Sequence, residues 1–125
     1  MFEATFATTS HDLDAEPARE PTAFDALLRE IGEDGAREVR AVFWSETSAR
    51  LKQFRTLALA EHRAKIEREA HSLKSTAKSF GYLRLAALAL RLERSTAALS
   101  DDEFGDLVTQ MDLAYAAALA QEQPG

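Results

Sequence analysis

The sequence contains no cysteine, and its 125 residues include only three prolines and five glycines. Without thiols the chain forms neither disulfides nor thiolate metal sites, and nothing in its composition points to an oxidising compartment. No window approaches eighteen uninterrupted apolar residues, and the first residues show no basic stretch followed by an apolar one. We therefore expect neither secretion nor membrane insertion, and a cytoplasmic location.

Strand patterns are also missing, because apolar and polar residues nowhere alternate with a period of two. Apolar residues recur instead at spacings of three and four, which is typical of amphipathic helices. The composition, 46% hydrophobic and 29% charged, is that of an ordinary folded domain. The sequence predicts an all-α fold, an antiparallel four-helix bundle with an additional short N-terminal helix.

Residues 1–20 show no sustained period, so we predict a flexible N-terminal segment followed by a bundle over residues 21–123. Thr22 and Asp25 form a predicted capping box, and the short helix that follows ends at Gly32. Asp34 is predicted to cap a second, longer helix. The apolar stripe of this second helix is Val39, Val42, Phe43, Phe54 and Leu57.

A break is predicted near residues 59–61, after which a third helix runs to Phe80 and stops at Gly81. The fourth helix carries apolar residues on more than one side and is predicted to be largely buried. Ser100 and Glu103 form a second capping box. The fifth helix then has the most regular stripe in the chain: Phe104, Leu107, Val108, Met111, Tyr115 and Ala118.

Charge is distributed unevenly along the chain, whose formal net charge is −6. Residues 61–94, called here the basic segment, contain eight Lys and Arg against four Glu, whereas the remainder contains seven against seventeen acidic residues. A basic segment in an acidic molecule favours an acidic protein partner. Nucleic acid is not expected as a partner, because the acidic remainder would repel a polyanion.

The third helix places one histidine on a polar face. At about 100° per residue, one side of this helix is apolar: Ile66, Ala70, Leu73 and Ala77. The other side is polar: Glu67, His71, Lys74, Ser75 and Lys78. His71 is therefore predicted to point toward solvent, where it is poorly placed for chemistry in an enclosed pocket and well placed to enter a pocket of another protein.

These residue types suit the acceptance of a phosphoryl group. An unprotonated imidazole nitrogen is a competent nucleophile, and Lys74 and Lys78 supply positive charge for phosphate oxygens on adjoining turns. Ser75, one turn after His71, is small and leaves access to the ring. Glu67, one turn before it, is predicted to accept the Nδ1 proton in a hydrogen bond and leave Nε2 free to react.

The run from His71 to Ser75, followed by Phe80-Gly81, Leu85 and Leu92-Glu93, resembles the histidine-containing phosphotransfer (HPt) domain family. That family has His-x-x-Lys-Gly at this place, so Ser75 stands where the family has glycine. The resemblance implies that His71 is phosphorylated on Nε2 by the phospho-aspartate of a receiver domain, or by a hybrid kinase, and passes the group to another receiver. Lys74 and Lys78 are then the residues that contact the phosphoryl group.

The resemblance also implies the partners, which are response-regulator receiver domains and a sensor or hybrid histidine kinase. Mg²⁺ is expected from the receiver, and no cofactor of the chain's own and no independent ATP-dependent activity are expected. We predict a monomer. Two other functions remain open from the sequence: a helical adaptor that binds receivers or kinases without transfer, and a dimerisation bundle of the histidine-kinase type.

Overall fold

The computed structural model describes residues 21–122, and the predicted flexible segment, residues 1–20, lies outside them. Every regular element in this range is helical. The four long helices are α1 (Pro21–Thr56), α2 (Arg63–Ser79), α3 (Leu83–Ser95) and α4 (Asp101–Glu122), with a short 3₁₀ turn at Leu59–Glu61 between α1 and α2. The turn lies where the sequence predicts a break.

The predicted short N-terminal helix is the first part of α1. Gly32 has φ of 83° and ψ of 168°, and this non-helical residue kinks the helix. Such backbone angles are accessible almost only to glycine, because a Cβ atom would clash with the backbone. Gly32 therefore separates two helical parts, as predicted, although the second part follows it without a loop.

Helix α2 ends in a Schellman motif built on Gly81. The backbone N–H of Gly81 donates to the carbonyl of Lys78, and that of Tyr82 donates to the carbonyl of Ala77. Gly81 has φ of 81°, which only glycine adopts without strain. The predicted stop at Gly81 is confirmed, and the motif turns the chain back so that α3 begins at Leu83 beside α2.

Of the capping residues predicted at helix starts, one is confirmed and one is wrong. Ser100 and Glu103 form the predicted capping box, each side chain accepting a hydrogen bond from the backbone N–H of the other. Asp34 does not cap the second part of α1, because Gly32 occupies the break and the Asp34 carboxylate accepts a hydrogen bond from Arg37 instead. The side chain of Thr22 lies outside the described residues.

One core joins the four helices. It contains buried side chains from each helix, with Phe54, Leu73, Leu92 and Met111 at or near full burial. The predicted stripe of α1 is wrong at Val39 and Val42, which are 43% and 54% exposed. Around the helix these two valines lie about 60° and 120° from the buried Ala36, to one side of the buried face, whose members include the small Ala36 and the polar Thr47.

The helices pack in a ring in which α2 lies against α1 and α3, while α4 lies against α3 and α1. Short connections between consecutive helices make neighbours antiparallel, as predicted. Ion pairs cross two of these contacts: Arg50 of α1 with Glu69 of α2, and Arg55 of α1 with Asp112 of α4. This ring leaves the outer faces of α2 and α3 side by side on the surface.

Aromatic side chains fill the region where the end of α2 meets α1 and α4. The ring of Trp44 lies 4.9 Å from that of Tyr82 and 5.4 Å from that of Tyr115, and Phe43 stacks on Tyr82. The Tyr115 hydroxyl donates to the backbone carbonyl of Trp44. Trp44, half-buried against the core, therefore helps to fix α1 onto α4.

Candidate functional site

His71 stands on the outer face of α2, as predicted. The apolar side of α2 is completely buried, with Ala70, Leu73 and Ala77 at 0% exposure. Because His71 lies on the opposite side of the same helical turns, its side chain is 58% exposed. The ring therefore stands on the surface of the bundle, and its environment consists of α2 itself and the adjacent edge of α3.

Glu93 of α3 holds the imidazole. Its Oε2 lies 2.8 Å from Nδ1 of His71, and its Oε1 lies 3.2 Å from Nζ of Lys74. A carboxylate only accepts, so Nδ1 carries the proton of this hydrogen bond. Lys74 forms an ion pair with Glu93, and the 3.5 Å between its Nζ and Nδ1 of His71 is proximity between two donors. One carboxylate thus fixes both the histidine and the lysine.

This contact determines which ring nitrogen is free. With Nδ1 protonated and bound to Glu93, the neutral imidazole carries its lone pair on Nε2. Nε2 is therefore the nucleophilic atom, and it belongs to an exposed ring. The tautomer follows from the acceptor opposite Nδ1.

The two partners keep Glu93 ionised. The hydrogen bond from His71 is the main cause that lowers the pKa of Glu93 below its ordinary value, and the charge of Lys74 acts in the same direction. Partial removal of the carboxylate from water opposes them and is outweighed. Glu93 is consequently a charged acceptor at neutral pH and below.

The prediction that Glu67 accepts the Nδ1 proton of His71 is wrong. Glu67 is exposed on the preceding turn of α2, and within the described residues no hydrogen bond or ion pair connects it with His71. The Nδ1 atom faces Glu93 instead, because the ring lies toward the neighbouring helix and not along its own. The acidic partner of the imidazole comes from α3.

The other predicted site residues lie at different distances from the ring. Lys74 is next to His71, and Ser75 is exposed one turn further along the same face. Lys78 is exposed about 10 Å further along the helix axis, so the structure does not bring it to the ring. Gly81 is buried and ends the helix, which makes it a structural residue of the site.

The basic segment divides between several surfaces. Arg63 donates to backbone carbonyls just after α3, and Lys65 lies 4.0 Å from Glu69. Arg84 and Arg91 line grooves between α3 and α4. The cations that share the outer face of α2 with His71 are Arg68, Lys74 and Lys78.

The site is a surface and not an enclosed pocket. A groove of about 370 Å³ lies at one end of the bundle, between the 3₁₀ turn and the start of α4, and includes Leu59 and Phe104 but not His71. Within the described range, no group of three or more His, Asp and Glu side chains is arranged to hold a metal ion. None of the described helices combines the length and apolar character that a membrane crossing requires.

The arrangement therefore presents a nucleophilic nitrogen, a carboxylate that stabilises positive charge on the ring, and an ammonium group beside it. Such a set can accept an electrophilic group that carries negative charge, provided that another protein brings that group to the surface.

A comparison with protein-family models matches residues 38–121 to the Hpt domain. Comparison with curated proteins and with solved structures finds no match. The matched region begins within α1, after the kink, and includes His71, Lys74 and Glu93. Hpt domains act in histidine phosphotransfer in phosphorelays, where they interact with receiver domains and kinases. Since the match covers most of the chain and the all-helical bundle agrees with it, the chain belongs to the Hpt domain family.

Proposed function

We propose that the protein is a phosphocarrier in which Nε2 of His71 accepts a phosphoryl group from the phospho-aspartate of a receiver domain, or from a hybrid kinase, and delivers it to another receiver. The observation that carries this proposal is the contact of 2.8 Å between Nδ1 of His71 and Glu93, which leaves Nε2 unprotonated on an exposed ring. Family membership supports the reaction class.

The transfer is a displacement at phosphorus. The Nε2 lone pair forms the N–P bond while the bond between phosphorus and the aspartate oxygen breaks, and the aspartate leaves as a carboxylate. Nδ1 keeps its proton, so the ring gains a positive charge. The Glu93 carboxylate, already ionised and in contact with Nδ1, stabilises that charge.

Lys74 supplies positive charge on the phosphoryl side. Its ammonium group lies 3.2 Å from Glu93 and 3.5 Å from the imidazole, so a small side-chain movement brings it to an oxygen of a phosphoryl group on Nε2. Lys78 lies too far along α2 for this role in the free protein, and we assign it to contact with the partner. The Mg²⁺ that the reaction requires belongs to the receiver in this proposal.

The exposed position of His71 explains why the partner is a protein with its own active-site pocket. A ring that is 58% exposed on a convex helix face cannot exclude water by itself. A receiver domain that covers the ring supplies both the acidic pocket and the exclusion of water. The cations on the outer face of α2 match the acidic character of such a pocket.

The decisive experiment is phosphorylation by a phosphorylated receiver domain, with the site of the label mapped. We expect an acid-labile, alkali-stable phosphate on His71 in the wild-type protein and none in His71→Gln. His62→Gln is the matched control, because His62 lies just before α2 and should leave labelling unchanged.

The same experiment separates transfer from the alternatives. A wild-type chain that binds the receiver without taking up label would be an adaptor, and the proposal would fail. Label on His71 that moves to a second receiver in a chase establishes a carrier, and the relative rates of loading and unloading give the direction of flow.

A further inference from the structure

Ser75 occupies the turn that follows His71 on the outer face of α2. The two residues are four positions apart, so their Cβ atoms are neighbours on the helix surface. The Cα–Cβ bonds of a helix tilt toward its N-terminus, so the Cβ of Ser75 leans toward the turn that carries His71. Ser75 is exposed, so neither the core nor a neighbouring helix limits the approach of a ligand to its hydroxyl.

The hydroxyl of Ser75 is an uncommitted donor. On the same helix, the hydroxyls of Thr76 and Ser79 each donate to the carbonyl four residues earlier. The equivalent carbonyl for Ser75 is that of His71, yet among the described residues no hydrogen bond engages the Ser75 hydroxyl. Its O–H is therefore available to an acceptor outside the protein.

The lysine beside the ring is, by contrast, already engaged. Lys74 forms an ion pair with Glu93 in the free protein, so a phosphoryl group on Nε2 must compete with that carboxylate for the ammonium. A neutral hydroxyl one turn away does not meet this competition. It offers the phosphoryl oxygens a donor without adding charge to the site.

From these observations we infer that the Ser75 hydroxyl donates a hydrogen bond to the phosphoryl group on Nε2 of His71 and so stabilises the phosphorylated form of this chain. The inference rests on the proposed function, since it concerns the product of the transfer. It gives the serine a direct contact with the phosphoryl group, beyond the small size that the sequence alone suggested.

The test is an exchange equilibrium between two versions of the chain. Phosphorylated wild type is mixed with an equal amount of Ser75→Ala and a trace of a receiver domain that accepts from the wild type. The receiver aspartate takes the phosphoryl group as the Nε2–P bond of one chain breaks. It then gives the group to the other chain, where a new Nε2–P bond forms. Intact-mass spectrometry resolves the two chains. Because the receiver acts only as a catalyst, altered docking changes the rate and not the final ratio.

We expect the phosphoryl group to favour the wild type over Ser75→Ala by about three- to tenfold, as suits one exposed hydrogen bond to a charged acceptor. Ser75→Thr keeps the hydroxyl and should share the group nearly equally with the wild type. Ser79→Ala, one turn further along the same face, should do the same.

Equal sharing between wild type and Ser75→Ala would overturn the inference, and so would a Ser75→Thr variant that behaves like Ser75→Ala. Either result leaves the proposed function standing, because both need a wild-type chain that has been phosphorylated. If the wild type takes up no label from any phosphorylated receiver, the proposed function fails and the role of Ser75 fails with it.

Discussion

Glu93 contacts His71 and Lys74 at once, and this residue carries the first prediction. In Glu93→Gln the amide oxygen still accepts from Nδ1, but the negative charge opposite the phosphorylated ring is gone. We expect the initial rate of phosphoryl uptake by His71 to fall by about tenfold. Labelling kinetics with a fixed concentration of phosphorylated receiver measure this rate.

Glu67→Gln is the control for this measurement. It removes an equal charge from the same surface, one turn before His71, yet in the described part of the chain no hydrogen bond or ion pair joins Glu67 to the ring. Its uptake rate should match that of the wild type. Equal losses in the two variants would indicate a general effect of surface charge and contradict the specific role of Glu93.

The pH dependence of stability follows from the lowered pKa of Glu93. A carboxyl group whose pKa is lower in the folded state stabilises the fold fully above its unfolded pKa, and this contribution is lost as the pH falls through the folded pKa. The difference in unfolding free energy between wild type and Glu93→Gln should therefore shrink below about pH 4.5. Urea titrations at several pH values measure the difference, and a gap that widens on acidification would contradict the assignment.

The sequence could locate His71, Lys74 and Ser75 because all three lie on one helix, where spacing alone determines which side chains share a face. It could not assign the role of Glu93. The contact between Nδ1 and Glu93 depends on how α2 and α3 are aligned along their lengths, which the packing between the two helices sets. Spacing within one helix therefore favoured Glu67, the wrong partner.

At the level of the helices, replacing two glycines by alanine should change the stability in opposite directions. Gly81→Ala places a Cβ at φ of 81° in the Schellman motif and should destabilise the protein by about 1–2 kcal/mol. Gly105→Ala in α4, where a Cβ would have no atom within 4 Å, should stabilise it by about 0.5–1 kcal/mol. Thermal unfolding of both variants measures these shifts, and a neutral Gly81→Ala would show that the turn tolerates another geometry.

Local signals predicted most helix ends, because a helix end depends on one or two residues. The stops at Gly32 and Gly81 and the cap at Ser100 are examples. The buried face of α1 was harder to predict, since Val39 and Val42 are exposed while Thr47 is buried. Which side of a long helix faces the core depends on the position of its neighbours, and the apolar content of each side does not decide it.

For the whole molecule, the cations on the outer face of α2 should guide the approach of a receiver. Lys78→Glu reverses one exposed charge about 10 Å from His71, so it should weaken receiver binding about three- to tenfold and leave transfer within the complex unchanged. Lys52→Glu on α1 makes the same change in net charge away from this face and should have little effect. Binding titrations at low and high salt measure both, and the difference between the variants should decrease at high salt.

The predicted monomer remains to be tested by the mass in solution. A kinase dimerisation bundle must be a dimer to place its histidine, whereas an Hpt domain of this fold completes its own core from four helices. Light scattering across a range of concentrations separates the two. A stable dimer that dissociates only with unfolding would favour the kinase type of bundle.

Trp44 is the chain's sole tryptophan, and it lies among Phe43, Tyr82 and Tyr115. Its indole emission therefore offers a label-free optical probe of whether α1 remains docked on the rest of the bundle. His71 can then be phosphorylated, mutated or covered by a receiver while the Trp44 emission of the same sample reports whether the bundle remains folded. A defect in the chemistry is thereby separated from a defect in folding.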